Sequence, residues 1–393
     1  MTTRDGARRS RVRLHLQEDG DRLTLAGVSR ASPPARRSRI PPTTLTAFVL
    51  DDRGRQASSA PVLSGHCCVA GAKGLHQPKR PHVVDVMARL DEKVVVEDQG
   101  RSHSFALNAE VFAAATAPRQ RPSVPAAQVQ AIQRADTSKA WVVIALANGF
   151  DAAGMGAFRD YVRTLEQRLR ETPPFDRFAS RIKVFGLETR SPVNRPGPDS
   201  AFGHEMQSLD PAREWFLITV DQDAVARFLR HHRLTRQNFQ PLVVTNTDLY
   251  GGSGGPAAVV SLDENALGIG IHEIGHSEFG LSDEYASAVP NPDRFTEGPN
   301  VSKGFSPLKW QSQLTVGPPF PTVANPTGAE VPPMDRPDLA GFVGVFEGAF
   351  YRPKGFYRPQ MHCKMRSMDE PFCAVCQDVI GKRLSGFTGL RWP

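Results

Sequence analysis

Two histidines four residues apart, His272 and His276, flank Glu273 in the stretch GIGIHEIGHSEFGLSDEY, residues 268–285. On a helix, positions i and i+4 lie on one face, a single turn apart. That spacing lets two imidazole nitrogens reach one zinc ion at ~2.0–2.1 Å. A carboxylate beside the first ligand can reach a metal-bound water, whose pKa zinc lowers from ~15.7 to ~7, and take its proton at neutral pH. The chemistry on offer is metal-assisted hydrolysis. Two ligands do not complete a site, and an amphipathic helix with two histidines gives the same letters, so a third ligand is required.

The residues that follow supply candidates. Gly280 is expected to stop the helix in the left-handed conformation and to turn the chain back beneath the metal. Asp283 comes seven residues after His276, and a carboxylate oxygen is an acceptable zinc ligand, whereas Ser282 is a poor one. Glu284 is the rival, either as ligand or as a group that orients a histidine. Asp283 is preferred because it is presented directly after the glycine turn and has the shorter reach. A glutamate from a later segment, Glu297 or Glu330, is a further alternative.

The helix that carries the motif needs a start and a packing partner. SLDE places Ser261 three residues before Glu264, the capping-box spacing, so the helix is expected to begin there and run through residues 265–279. Gly268, Gly270 and Gly275 each cost about 1 kcal/mol relative to Ala in a helix interior. Three within about two turns imply tight packing or close ligand approach.

At 393 residues, two domains are expected. RVRLHLQEDGDRLTLAGV alternates apolar and polar residues on either side of EDGD and reads as a hairpin with an Asp-Gly turn. TTLTAFVLDD, HVVDVMARL, EKVVVEDQG and SHSFALNAEVF continue the pattern, so residues 11–114 read as a small all-β, sandwich-like domain. Residues 1–10 read as a basic, disordered arm, and 115–128, rich in Pro and Ala, as a linker. Residues 129–393 then form the domain of the motif. There AWVVIALANGF reads as a buried strand ending in a turn. Met155, Phe158, Tyr161, Val162, Leu165 and Leu169 mark an amphipathic helix. RIKVFGLE and EWFLITV follow as strands, DAVARFLRHH as a helix, and PLVVTNTDLYGGSGG as a strand running into glycines. Strands alternating with helices predict an α/β sheet with a parallel portion, while the chain after Val289 is loop-rich.

The pattern HExxHxxxGxxDEY resembles the metzincin peptidases, with one more residue before the glycine and Asp in place of the third His. This variant looks like the IgA-peptidase family of zinc metallopeptidases. ANGFDAAGMGAFRDYV, PPFDRFASRIKVFGLETRSP, VVTNTDLYGGSGG, FYRPQMHCKMRSM and PFCAVCQ agree with it, so the resemblance covers roughly residues 141–380. One departure is visible: where the family commonly has Asp-Gly-Tyr, this chain has Asn148, Gly149 and Phe150.

The resemblance implies a metzincin-like zinc peptidase domain, α+β or α/β, with a mixed sheet and an active-site helix. His272, His276 and Asp283 would be the metal ligands and Glu273 the catalytic base. It also implies that Tyr250, Gly251, Gly252, Ser253 and Gly254 form an edge strand on the cleft rim, whose backbone pairs with an extended substrate peptide. Met365 would lie in a Met turn beneath the metal. Tyr357, with Tyr285 as its competitor, could donate to the oxyanion of a tetrahedral intermediate. The expected cofactor is Zn2+ and the expected partner a protein or peptide substrate. An inactive metal-binding or surface-interaction module with a basic N-terminal arm is the alternative.

Bulk properties narrow the classes. The net charge is +7, but residues 1–40 hold ten arginines against four acids, so nearly all of the excess sits in those forty residues. A nucleic-acid partner is therefore not expected. No apolar run approaches the ~20 residues of a membrane span. The N-terminal residues lack an apolar signal core, which as written predicts a cytoplasmic chain, although the resemblance suggests secreted relatives. Five cysteines give no tidy disulfide framework. Cys67 and Cys68 read as core filler. Cys363, Cys373 and Cys376 could form a second metal site with His362, or one disulfide joining Cys363 to Cys373 or Cys376, or remain free thiols. The oligomeric state is not legible.

Overall fold

A computed structural model of the chain describes residues 10–19, 22–30, 42–50, 55–64, 80–88, 92–98, 101–106, 122–192, 194–197, 200–210, 215–286, 296–325 and 336–393. The arm before residue 10, Cys67, Cys68, Glu330 and linker residues 115–121 lie outside them. The chain divides into two compact units.

The first unit contains seven strands: β1 (Ser10–Asp19), β2 (Arg22–Arg30), β3 (Pro42–Leu50), β4 (Gln56–Ser64), β5 (Arg80–Ala88), β6 (Lys93–Asp98) and β7 (Arg101–Ala106). They form one sheet in the order β2-β1-β5-β4-β3-β6-β7, and every pairing is antiparallel. Ala47 and Val49, and Val94 and Val96, are buried, whereas Lys93 and Glu97 are exposed. This period of two makes one face of the sheet apolar.

The second unit is built on a mixed seven-stranded sheet. Its strands are β8 (Trp141–Asn148), β9 (Ile182–Leu187), β10 (Glu205–Asp210), β11 (Trp215–Thr219), β12 (Phe239–Thr245), β13 (Gly251–Ser253) and β14 (Ala258–Val260), in the order β10-β11-β13-β14-β12-β8-β9. β9, β8, β12 and β14 run parallel, and β13 is antiparallel to β14. All eight residues of β8 are buried, because both faces of the sheet are covered. Trp141, Val143, Ala145 and Ala147 pack on one side with helices α2 (Met155–Glu171), α4 (Ala266–Phe279) and α5 (Ala374–Thr388). Val142, Ile144 and Leu146 pack on the other with α1 (Ala126–Arg134) and α3 (Gln222–His231). Helix α1 thus begins inside the segment expected to be linker, since Val129 and Ile132 are drawn into the core.

Beyond α4 the chain forms a small sheet of β15 (Ser302–Lys303), β16 (Phe346–Ala349) and β17 (Arg352–Arg358), in the order β15-β17-β16. β16 and β17 are antiparallel, and Ala349 opposes Arg352, so Phe350 and Tyr351 are the two residues of the hairpin turn. Among the described residues no helix is long and apolar enough to cross a membrane.

The motif helix α4 is the element that positions the chemistry. It begins at Ala266 behind Asn265, not at the capping box of Ser261 and Glu264. The Ser261 N–H bonds the Gly251 carbonyl at 3.1 Å, which commits its backbone to the sheet rather than to a helix cap. At the far end Gly280 takes φ +65°, and the Leu281 N–H returns to the Gly275 carbonyl at 3.1 Å. Phe279, Trp141 and Phe175 pack ring against ring with centroids 5.5–5.8 Å apart, fixing the end of α4 to β8. Two of the interior glycines have a steric reason. A Cβ on Gly270 would stand 2.3 Å from the Tyr161 hydroxyl, and one on Gly275 2.9 Å from Met365 Sδ.

Candidate metal centre

His272 and His276 project from one face of α4, their Nε2 atoms 3.0 Å apart. The turn after Gly280 brings Asp283 against both, with Oδ1 3.1 Å from His272 Nε2 and 3.2 Å from His276 Nε2. Three ligand atoms ~2 Å from one tetrahedral ion would be ~3.3 Å apart, so the triangle has the dimensions of a filled site. His272 and Asp283 are buried, and only a small part of His276 reaches solvent.

Hydrogen bonding fixes which atoms face inward. His272 Nδ1 lies 2.9 Å from the Lys364 carbonyl, and His276 Nδ1 lies 2.7 Å from the Leu281 carbonyl. A carbonyl oxygen can only accept, so each Nδ1 carries the proton, and in the neutral rings each Nε2 presents a lone pair. Asp283 Oδ1, which both Nε2 atoms face, is buried and receives no hydrogen bond. Its other oxygen, Oδ2, accepts from the Tyr351 hydroxyl at 2.5 Å. Two nitrogen lone pairs and a carboxylate oxygen thus converge on one point. Such a set repels itself unless a cation stands among it, and this donor set fits a divalent metal.

The electrostatics agree. Burial works against a charged imidazole at His276, but the Asp283 carboxylate, with Glu273 and the Leu281 carbonyl, outweighs it and raises that pKa to about 9. Burial would raise the Asp283 carboxyl, yet the two imidazoles hold it well below the usual carboxylate range. The pocket selects positive charge.

Neighbouring elements complete the support. Met365 is buried under Gly275, and its carbonyl accepts from the Glu284 N–H at 2.7 Å. The turn holding Met365 therefore grips the ligand loop on one side, and through the Lys364 carbonyl grips His272 on the other. Glu273, next to His272 and between the two histidines in sequence, is buried, and its Cγ would be 3.1 Å from a Cβ placed on Gly252. A Cβ on Gly254 would meet His276 Cβ at 2.8 Å. These glycines let β13 approach the motif helix.

β13 is nonetheless not an edge strand. It is flanked by β11 and β14, and Gly251, Gly252 and Ser253 are buried, so their backbone is not the free rim expected from the sequence. Three residues of glycine-rich strand gave no sign of having partners on both sides. Tyr250, beside it, is half-buried, and burial together with Asp263, Glu273 and Asp369 lifts its pKa to about 12. Tyr357 lies in β17 opposite Ser302 and Glu347, with its ring 5.4 Å from that of Phe305. The tyrosine whose hydroxyl meets a ligand of the triad is Tyr351.

The rival acids lie elsewhere. Glu284 turns away from the histidines toward Cys363, Cys373 and Cys376. Glu297 pairs with Lys309 at 3.0 Å. His362 pairs with Glu370 at 3.2 Å and takes no place among the cysteines, which are free thiols in this structure. In the segment that departs from the resemblance, Asn148 is structural: its amide donates to the Gly203 carbonyl and its oxygen accepts from the Phe202 N–H, each at 3.0 Å. Phe150 is fully buried beside Phe158.

The family model described as IgA Peptidase M64 matches residues 129–330 and 329–384, which span the whole set of residues just placed. The chain belongs to the IgA Peptidase M64 family. Membership makes it a mixed α/β peptidase-family protein and implies a protein or peptide as substrate. No curated protein matches the chain. Within this M64 peptidase, Tyr351 is the residue that reading the sequence missed. The only local signal is a Phe-Tyr pair at a tight hairpin, with φ +54° and +64°, positions where Asn-Gly is the usual choice.

Proposed function

We propose that this M64 peptidase is a zinc-dependent endopeptidase whose metal is held by His272, His276 and Asp283, with Glu273 as its catalytic base. The observation that carries the reading is the convergence of His272 Nε2, His276 Nε2 and the hydrogen-bond-free Asp283 Oδ1 at mutual distances of 3.0–3.2 Å. When bound, zinc would supply a Lewis acid for the scissile carbonyl and lower the pKa of water at its open position. Glu273 takes the proton from the attacking water and passes it to the departing amine nitrogen. The carbonyls of Lys364 and Leu281 hold the imidazole tautomers through that cycle, and Tyr351 holds the Asp283 carboxylate.

Tyr250 is assigned to the substrate. Its phenol is protonated at neutral pH, as any tyrosine's is, and Glu273 is close enough to act on it, so its hydroxyl is a donor for a peptide carbonyl near the base. Tyr357 has no comparable support as an oxyanion donor. Residues 11–114 are assigned a binding or spacing role outside the chemistry, since no candidate ligand cluster falls among their described residues.

The test of the ligand set is metal content. Asp283→Ala is expected to lower bound zinc by about one equivalent per chain while far-ultraviolet circular dichroism is unchanged, because zinc at a three-ligand site needs all three protein donors. Undiminished zinc in Asp283→Ala would remove Asp283 from the site.

A further inference from the structure

One buried cluster takes no part in the proposed hydrolysis. Glu284, Cys363, Cys373 and Cys376 are all buried, and one ligand atom from each lies within 4.8 Å of every other. Three segments build it: the loop after α4, the turn that contains Met365, and the first turn of α5. Cys363 Sγ is 3.7 Å from Cys376 Sγ. Glu284 Oε1 is 3.3 Å from Cys376 Sγ and 3.7 Å from Cys373 Sγ. With Zn–S of ~2.3 Å and Zn–O of ~2.0 Å, a tetrahedral ion sets its sulfurs ~3.8 Å apart and its oxygen ~3.5 Å from each sulfur. A disulfide would need ~2.05 Å. These three separations are close to the edges of a coordination tetrahedron and far from a sulfur–sulfur bond.

The surroundings also suit bound thiolates. The Cys373 N–H points to Cys363 Sγ at 3.3 Å and the Cys376 N–H to Cys373 Sγ at 3.4 Å, so two sulfurs receive backbone donors. Glu284 Oε1, the oxygen that faces the sulfurs, accepts from the Asn300 amide at 2.8 Å, which holds it toward them. Charge balances as well. Three thiolates and a carboxylate carry four negative charges, and a divalent ion with the buried guanidinium group of Arg358 and the half-buried one of Arg366, which both act on Glu284, offsets all four.

We infer that Glu284, Cys363, Cys373 and Cys376 form a second, closed metal site of the structural zinc type. With four protein ligands it leaves no open position for water, and its role is to fasten. Metal there ties Glu284 to Cys363 and to the start of α5. Glu284 adjoins the ligand Asp283, and Cys363 adjoins Lys364, whose carbonyl orients His272. The second ion would thus lock the loop and the turn that hold the first. Binding displaces the thiol protons to solvent, so no oxidant or reductant is involved.

The inference stands apart from the hydrolytic reading, and its test removes the first site. The full chain is prepared under reducing conditions with Cys67→Ser and Cys68→Ser, leaving three cysteines, and with His272→Ala and His276→Ala. This variant is expected to retain about one zinc per chain, released by p-hydroxymercuribenzoate as the thiols are blocked. Replacement of zinc by Co2+ is expected to give the intense near-ultraviolet sulfur-to-cobalt absorption of a thiolate site, abolished by Cys376→Ser. If the Cys376→Ser chain does not fold, the cobalt spectrum of its parent decides alone. A parent that binds no metal, a cobalt form without the sulfur band, or a Cys363–Cys376 disulfide found by mass spectrometry in the reduced preparation would each overturn the inference.

Discussion

At the scale of single residues, the site is a set of acceptors with their donors turned outward. Both imidazoles give their Nδ1 protons to backbone carbonyls, and Asp283 spends its second oxygen on Tyr351. Removing that hydroxyl leaves the ligands in place but frees the carboxylate to rotate. Tyr351→Phe is therefore expected to weaken zinc about 10–100-fold in competition with a chelator, without loss of fold. Unchanged affinity would show that Tyr351 only packs there. His272, Glu273, His276 and Asp283 could be picked out together because one helix and one turn carry all four within twelve residues of sequence. Tyr351 was not, because it arrives from 68 residues away on a hairpin whose turn residues carry no turn signal. The cysteines were noticed, but His362 beside them was the wrong fourth partner. The carboxylate that meets them comes from the ligand loop, 79 residues before Cys363, a distance that no local spacing encodes.

At the scale of elements, α4 is held by what its glycines admit. Gly275 leaves room for Met365 and Gly270 for Tyr161. Gly275→Ala would push the Met365 turn, and with it the carbonyl that orients His272, so overpacking of about 1–3 kcal/mol is expected in chemical denaturation together with weaker metal binding. Gly280→Ala meets no neighbour but must hold φ +65°, and is expected to lower stability by about 1 kcal/mol with the metal site retained. Equal effects of the two changes on metal affinity would contradict this division. The element types were readable from periodicity: the buried strand β8, the amphipathic α2 and the alternation of strands with helices all stand where residue pattern puts them. The start of α4 and the edge status of β13 were not. Both depend on a sheet partner, since Ser261 bonds Gly251 across β13 and β14 and β11 closes the other side.

At the scale of the whole molecule, the site belongs to the second unit, while the positive charge belongs to the first forty residues of the sequence. With little net charge beyond those forty residues, long-range steering of substrate is weak. The specificity constant for an uncharged peptide is thus expected to change less than about two-fold between about 50 and 200 mM salt, conditions that screen exposed charges beyond roughly 10 Å. A steep salt dependence would assign the basic first forty residues a part in catalysis. The account as a whole rests on Glu273 acting as base beside an intact metal centre. It is tested most directly by casein hydrolysis with Glu273→Ala, zinc being measured on the same sample. The expected result is zinc equal to that of the unsubstituted chain, with hydrolysis lowered by about 10²–10⁴-fold. Hydrolysis at the unsubstituted rate with zinc still bound would contradict the account.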